Sequence, residues 1–321
     1  MKLSCSLPPS VNLVKQARLA ESLGYERVWV GDSPALYSDP WVALSQVAAN
    51  TSTIGLGVAV LVPSTRHVMV NAAAICGIEA QAPGRLAVAI GTGFTARRLF
   101  GKGPLSWAST ADYIRQLKAL LNGETITLDG AKTRLMHPAG MSAQLPLKTP
   151  IIVAANGPKG IDVARELGDG VMSVQAPIDG FGWSALLQPG TVLDEGEALD
   201  SPRVFEALGP AIATFYHGAY EAMGEGVDGF PNGAAWRAMI EQFPADEQHL
   251  HLHQEHCVGV NDHDRPHLDV AGMAPLTFTG TAAELGHKAA ELEEAGVTEI
   301  LYMPLGPDIE RELGAMASVF G

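Results

Sequence analysis

Several short stretches hold residue types that could do chemistry. Asn156-Gly157-Pro158-Lys159-Gly160 joins an apolar run to a helical pattern. Free amides at a helix N-terminus attract a phosphate, and glycines permit its close approach. Pro158 has no amide to give, so Lys159 and Gly160 would donate; the same residues also suit an ordinary strand-to-helix turn. Gly91-Thr92-Gly93 breaks the apolar run 86–90, and Ser64-Thr65-Arg66-His67 follows the run 54–62. Arg66 and His67 would either meet anionic groups or cap and pair at a helix start. Asp32 and Ser33 close the run 27–31. Six of the ten histidines fall between His249 and His267. On a helix His249, His253 and His256 would share a face. That spacing can bind zinc, but HExxH is absent and there is no nearby thiolate pair, so no metal is expected. Arg97, Arg98 and Lys102 form a small basic group in an otherwise acidic chain.

These residues need elements to hold them, and the centre of the pattern is 54–95. Residues 54–62 are unbroken, apolar and rich in β-branched side chains, as in a parallel strand buried on both faces. A Pro-Ser-Thr stop follows, then an Ala-rich helix over 68–81 ended by Pro83-Gly84, then a second buried strand over 86–90. Two such strands joined by a helix make a βαβ unit. Its polar residues gather where the strands end, the edge at which parallel α/β folds bind ligands. Other strand candidates are 2–7, 27–31, 149–155, 170–174, 211–216 and 299–303. Asp129-Gly130 marks a hairpin within 125–136. Eight strands alternating with helices predict a closed (β/α)8 TIM barrel, one domain over 1–321, with insertions after strands four, six (176–205) and seven.

The chain has 321 residues, 47% of them hydrophobic, and a net charge of −14. That charge argues against nucleic-acid or anionic-membrane partners. No apolar run reaches the roughly 18 residues of a membrane span. MKLSCSLPPS enters a strand and lacks a signal peptide's apolar region, and three scattered cysteines suit a reducing compartment. A soluble, cytoplasmic α/β protein is the expectation, one whose partner is a small molecule rather than nucleic acid or membrane.

RVWVGDSP (27–34), DPWVAL (39–44), LGVAVLVPSTRH (56–67), GRLAVAIGTG (84–93), PIIVAANGPKGIDVARELGDGVM (150–172) and TGTAAEL (279–285) occur in an order that resembles the luciferase-like monooxygenase superfamily. Within it the chain looks most like the branch using deazaflavin coenzyme F420, which includes methylenetetrahydromethanopterin reductases and glucose-6-phosphate dehydrogenases. The resemblance implies hydride transfer between F420 and an organic substrate, commonly by a homodimer. It implies cofactor contacts from Asp32, Ser33, Arg66, Gly91, Thr92, Gly93 and residues 156–160. It also implies a non-proline cis peptide at Ala59–Val60, bulging toward the cofactor ring. The basic group after Gly93 would suit a deazaflavin's phosphate and polyglutamate tail.

Two departures stand out. Ser33 replaces the histidine, and Phe94 the glutamate, of the glucose-6-phosphate dehydrogenases, so that activity is not expected. With those proton-transfer residues missing, His253 or His256 is the natural proton donor near neutral pH. Phe181, Trp183, Phe215, Tyr216, Phe230 and Trp236 hint at a hydrophobic substrate, and Tyr302 at a cavity floor. The alternatives are an FMN-dependent monooxygenase of the same superfamily and a non-catalytic cofactor- or ligand-binding barrel.

Overall fold

The computed structural model describes residues 1–174 and 176–321. Ten strands run in chain order: β1 (Lys2–Leu7), β2 (Arg27–Val30), β3 (Gly55–Leu61), β4 (Leu86–Ile90), β5 (Ile126–Leu128), β6 (Ala131–Thr133), β7 (Ile151–Ala154), β8 (Val171–Ser173), β9 (Ser184–Pro189) and β10 (Glu299–Met303). All but β5 and β6 close into one barrel, ordered β1-β2-β3-β4-β7-β8-β9-β10. The fold is a (β/α)8 TIM barrel. β5 and β6 pair antiparallel as the expected hairpin, with positive φ at Asp129 and Gly130.

The central βαβ unit forms as its composition requires. β4 is buried along its whole length, and β3 pairs with it in parallel from Leu56↔Leu86 to Leu61↔Ile90. The helix Val68–Gln81 joins them. Asp39 caps the helix Pro40–Asn50 by accepting from the amides of Trp41 and Val42, with proline at the first helical position.

The chain resolves into two compact units. The first comprises Met1–Arg97, Lys102–Leu187 and Leu292–Leu301, and carries the barrel. Its interior is Trp29, Ala87, Ala89, Ile152, Met172, Ala185 and Leu301. Glu299 is buried beneath it, taking the indole N–H of Trp29 at 3.1 Å and of Trp183 at 2.7 Å. The second unit comprises Arg98–Gly101, Gln188–Glu291 and Tyr302–Gly321. Its centre is the helix Pro202–Met223, packed on Val227, Trp236, Ile240 and Leu252.

Two sequence expectations are corrected here. Residues 211–216 are not a strand; they lie inside that 22-residue helix, which runs on through Pro210. The seventh barrel strand is β9, inside the stretch expected to be an insertion after strand six. β8 ends at Ser173 and β9 starts at Ser184, so the large insertions follow the fourth strand (91–150) and the seventh (190–298). AIATFY is as apolar as a strand, and only the helix around it decides the matter. SALLQP is short, with glycine and proline close on both sides, and gives no periodic signal.

Candidate active site at the barrel mouth

The C-terminal ends of β3, β4 and β7 converge. The Ala59–Val60 peptide is cis, and the register between β3 and β4 shifts between Ala59 and Leu61. A Cβ on Gly91 would lie 3.0 Å from Cγ1 of Val60 and 3.5 Å from Cβ of Ala154. Gly91 is therefore glycine because its neighbours close over it. Gly93 has φ +76°, and a Cβ there would fall 2.3 Å from Val62. The carbonyl of Thr92 receives the amide of Leu105 at 2.9 Å, and Gly93 that of Arg97 at 3.1 Å. All three residues of this turn shape the mouth.

Asp32 is buried beside them, with both oxygens occupied. Oδ1 meets the Arg66 guanidinium at 2.7 Å; Oδ2 accepts from the Val62 amide at 3.2 Å and the Thr65 hydroxyl at 2.9 Å. Arg66 is equally committed: Nε and Nη2 reach Asp39 at 3.0 and 2.7 Å. Burial alone would lower the Arg66 pKa, but hydrogen bonds and charge from Asp32 and Asp39 raise it. Sequence leaves Arg66 between meeting a cofactor's anionic groups and pairing at a helix start, and Asp32 between cofactor contact and capping. The geometry makes them an ion-pair clasp that fixes the loop after β3 and ties it to the start of the helix Pro40–Asn50. The Ser33 carbonyl receives the amides of Leu36 and Tyr37 and shapes the loop after β2. His67 caps its own helix through Nδ1 at 3.2 Å from the Met69 amide.

At the end of β7, Asn156 Oδ1 accepts the Val174 amide at 3.0 Å, bridging to the loop after β8. Gly157 is the N-cap of the helix Pro158–Leu167, and a Cβ on it would meet no atom within 4 Å. The space beside Gly157 is open, which leaves room for an incoming anion. Gly160 serves a different end. A Cβ on it would sit 2.4 Å from the Trp107 ring and 2.6 Å from Ala155, and its amide already donates to the Gly157 carbonyl. Of the two amides sequence assigned to a phosphate, Lys159 alone stays uncommitted within the turn among the described residues.

Apart from Trp183, the candidates that follow lie in the second unit. The helix Gln248–Leu252 ends before His253, and Glu255 and Cys257 take positive φ, so His249, His253 and His256 share no helical face. His253 is buried; its Nδ1 is 3.2 Å from His256 Nδ1 and its Nε2 is 3.1 Å from Glu221. Burial and the neighbouring His253 and His217 push the His256 pKa well below its usual value. His217, buried on the helix Pro202–Met223, is the member sequence missed, because 36 residues separate it from His253. Tyr216 and Trp236 are fully buried against Phe230, and Phe215 packs on the same core. Trp183 is taken by Glu299. Tyr216 and Trp236 are core, while Phe215, Phe230 and Trp183 are partly exposed at the edges of their cores. Tyr302, also fully buried, donates within 3.1 Å of Gly190 and Glu312 and does not line a cavity floor.

The family model described as luciferase-like monooxygenase matches residues 6–299. A 5,10-methylenetetrahydromethanopterin reductase of Methanolobus tindarius is 31% identical over 173 residues, covering 51% of this chain and 50% of that protein. An F420-dependent glucose-6-phosphate dehydrogenase of Beutenbergia cavernae is 30% identical over 176 residues, covering 50% and 51%. The chain thus spans about half the length of these curated relatives. Among solved structures, an F420-dependent secondary alcohol dehydrogenase bound to an F420-acetone adduct superposes with a TM-score of 0.68 at 17% identity, covering 99% of this chain and 97% of that one. At that identity the likeness speaks for the fold.

Proposed function

The chain belongs to the luciferase-like monooxygenase family, and from that premise we propose an oxidoreductase that passes a hydride between deazaflavin coenzyme F420 and a small organic substrate. The observation that carries this reading is the barrel mouth. Val60, Gly91 and Ala154 close a small-residue floor beside an open, glycine-capped helix N-terminus at Gly157. Such a helix end attracts a phosphate, and the Lys159 amide and side chain add donors beside it. The F420-dependence in the name of the Beutenbergia relative supports the choice of cofactor.

When bound, the deazaflavin supplies or accepts a hydride at C5; the rest is work for this chain's own residues. Gly157 and Lys159 would hold the phosphate. Ala59, Val60 and Gly91 would lie under one ring face and leave the other to substrate. The Asp32–Arg66 clasp would keep the loop after β3 in register and exclude water there. His253 and His256 stay the candidate proton donors that the missing histidine and glutamate leave open, their Nδ1 atoms 3.2 Å apart. Of the six aromatics that suggest a hydrophobic substrate, Tyr216 and Trp236 are fully buried in packing, so that preference rests on the four that are partly exposed. Three cysteines without disulfides support a reducing, cytoplasmic setting, and no described helix is long and apolar enough to cross a membrane. A homodimer rests on the resemblance and is read by light scattering.

Equilibrium binding of the apoprotein to F420 and to FMN tests the proposal. Micromolar or tighter binding to F420 with none to FMN is expected. The reverse moves the protein to flavin-dependent oxygen chemistry, and binding to neither overturns a catalytic cofactor site altogether.

A further inference from the structure

The second unit buries a group of side chains that the hydride step itself does not use. His217 and Glu221 sit one turn apart on the helix Pro202–Met223, and His253, His256 and Asp264 come from the segment after the helix Gln248–Leu252. One nitrogen from each of the three histidines lies within 4.8 Å of the others. His217 Nε2 is 2.9 Å from Asp264 Oδ2, and His253 Nε2 is 3.1 Å from Glu221 Oε1. A carboxylate only accepts, so each of these ring nitrogens carries a proton, and an imidazole with its single proton there has the Nδ1 lone pair left over. The two carboxylates are buried, with side-chain exposures of 2% and 8%.

We propose that His217, His253 and His256 form a binding site for one divalent transition-metal ion of the Zn2+ type, with Asp264 and Glu221 orienting two of the ligands. Three independent features point there. First, His253 Nδ1 and His256 Nδ1 are 3.2 Å apart. Two ligands of a tetrahedral Zn2+ at 2.0–2.1 Å stand about 3.3–3.4 Å apart, so this pair is already set, while the spread of up to 4.8 Å across all three contracts on binding. Second, a carboxylate on the far nitrogen is the usual partner of a metal-bound imidazole, and two of the three have one. Third, among the described residues His217 Nδ1 and Glu221 Oε2 are buried and have no hydrogen-bond partner. Buried polar atoms are almost always satisfied. A proton on His256 Nδ1 would satisfy His253 but not His217, whereas a metal ion takes the lone pairs of both and adds positive charge beside Asp264 and Glu221, the latter also 3.8 Å from the Arg98 guanidinium. The fourth coordination place falls to water or another small ligand. The sequence concealed this site because its pattern is not HExxH, and His217 stands far upstream of the histidine-rich segment.

The test uses the untagged full chain, dialysed against EDTA and titrated with ZnCl2 by calorimetry. One equivalent should bind, and His256→Gln or His217→Ala should weaken binding at least about tenfold. Zn K-edge EXAFS of the wild-type complex needs no variant to fold, and should show two or three imidazoles on the metal. A Co2+-loaded sample should show the intense visible bands of a four-coordinate ion. No saturable Zn2+ binding, a complex with fewer than two imidazoles, or unchanged affinity in both variants would each overturn the proposal.

Discussion

Asp32 has no escape from its partners: it is 2% exposed and carries a charge that needs them. Replacing Arg66 by Met keeps the aliphatic stem but strands that carboxylate, at a cost of roughly 3 kcal/mol in urea-melt stability. Arg66→Lys should recover little of it, because one ammonium cannot reach Asp32 and Asp39 with a fork's geometry. A loss under about 0.5 kcal/mol in Arg66→Met would show the clasp to be idle. Glu21 gives the residue-scale pH dependence. Burial opposes its ionisation, but amides of Thr53, Ile54 and Ser52 and the Thr53 hydroxyl outweigh that and pull its pKa down to about 2. A depressed carboxylate stabilises the fold above its unfolded pKa and loses that contribution as pH falls through the folded value. The window is therefore about pH 4.5 down to about 2. Discounted for exposure, the term is about 1 kcal/mol. Glu21→Gln should lower stability at pH 7 by that amount and flatten the acid limb of a stability–pH curve over that window, a difference readable by urea melts at pH 7 and pH 3.

At the scale of elements, two glycines of one loop separate packing from binding. Gly160→Ala forces a methyl against Trp107 and should cost roughly 1–3 kcal/mol. Gly157→Ala meets open space, and its φ of −111° with ψ of 165° suits alanine. Stability should therefore hold while F420 affinity falls about tenfold, if the phosphate approaches the N-cap. A Gly157→Ala protein that binds F420 like wild type would move the phosphate elsewhere. Sequence could not tell these glycines apart, because both readings require the same residue type. The barrel was legible wherever a strand is an unbroken apolar run, as in β3, β4 and β7, and wherever turn chemistry is local, as at Asp39-Pro40 and Asp129-Gly130. It failed where identity is decided by tertiary context. The helix Pro202–Met223 absorbs an apolar hexapeptide, and β9 is a strand because β8 is there to pair with it. The site shows the same division. The mouth glycines and the Ala59–Val60 bond were found from motifs in order along the chain, while the Asp32–Arg66–Asp39 clasp needed contacts across more than 25 residues.

The whole molecule carries a net charge of −14, and the cofactor proposed for it is itself a polyanion. Two electrostatic scales therefore compete during association. Near Gly93 the chain offers Arg97 and Lys102, but Arg97 already gives its Nε–H to the Gly103 carbonyl at 2.6 Å. Over longer distances the net charge repels. Screening reaches about 30 Å at 0.01 M salt and about 8 Å at 0.15 M, so salt removes the far field first and leaves the near contacts. If the net charge governs encounter, F420 should associate with the apoprotein about three to ten times faster at 0.15 M than at 0.01 M salt, measured by stopped-flow fluorescence. If the local cations govern it, the rate should fall as salt is added, as it does for steered association. A falling rate would give the basic residues after Gly93 a role in capture that their present hydrogen bonds do not require. A rising rate would mean that capture occurs against the field, and that affinity is built from short-range contacts at Gly157 and Lys159.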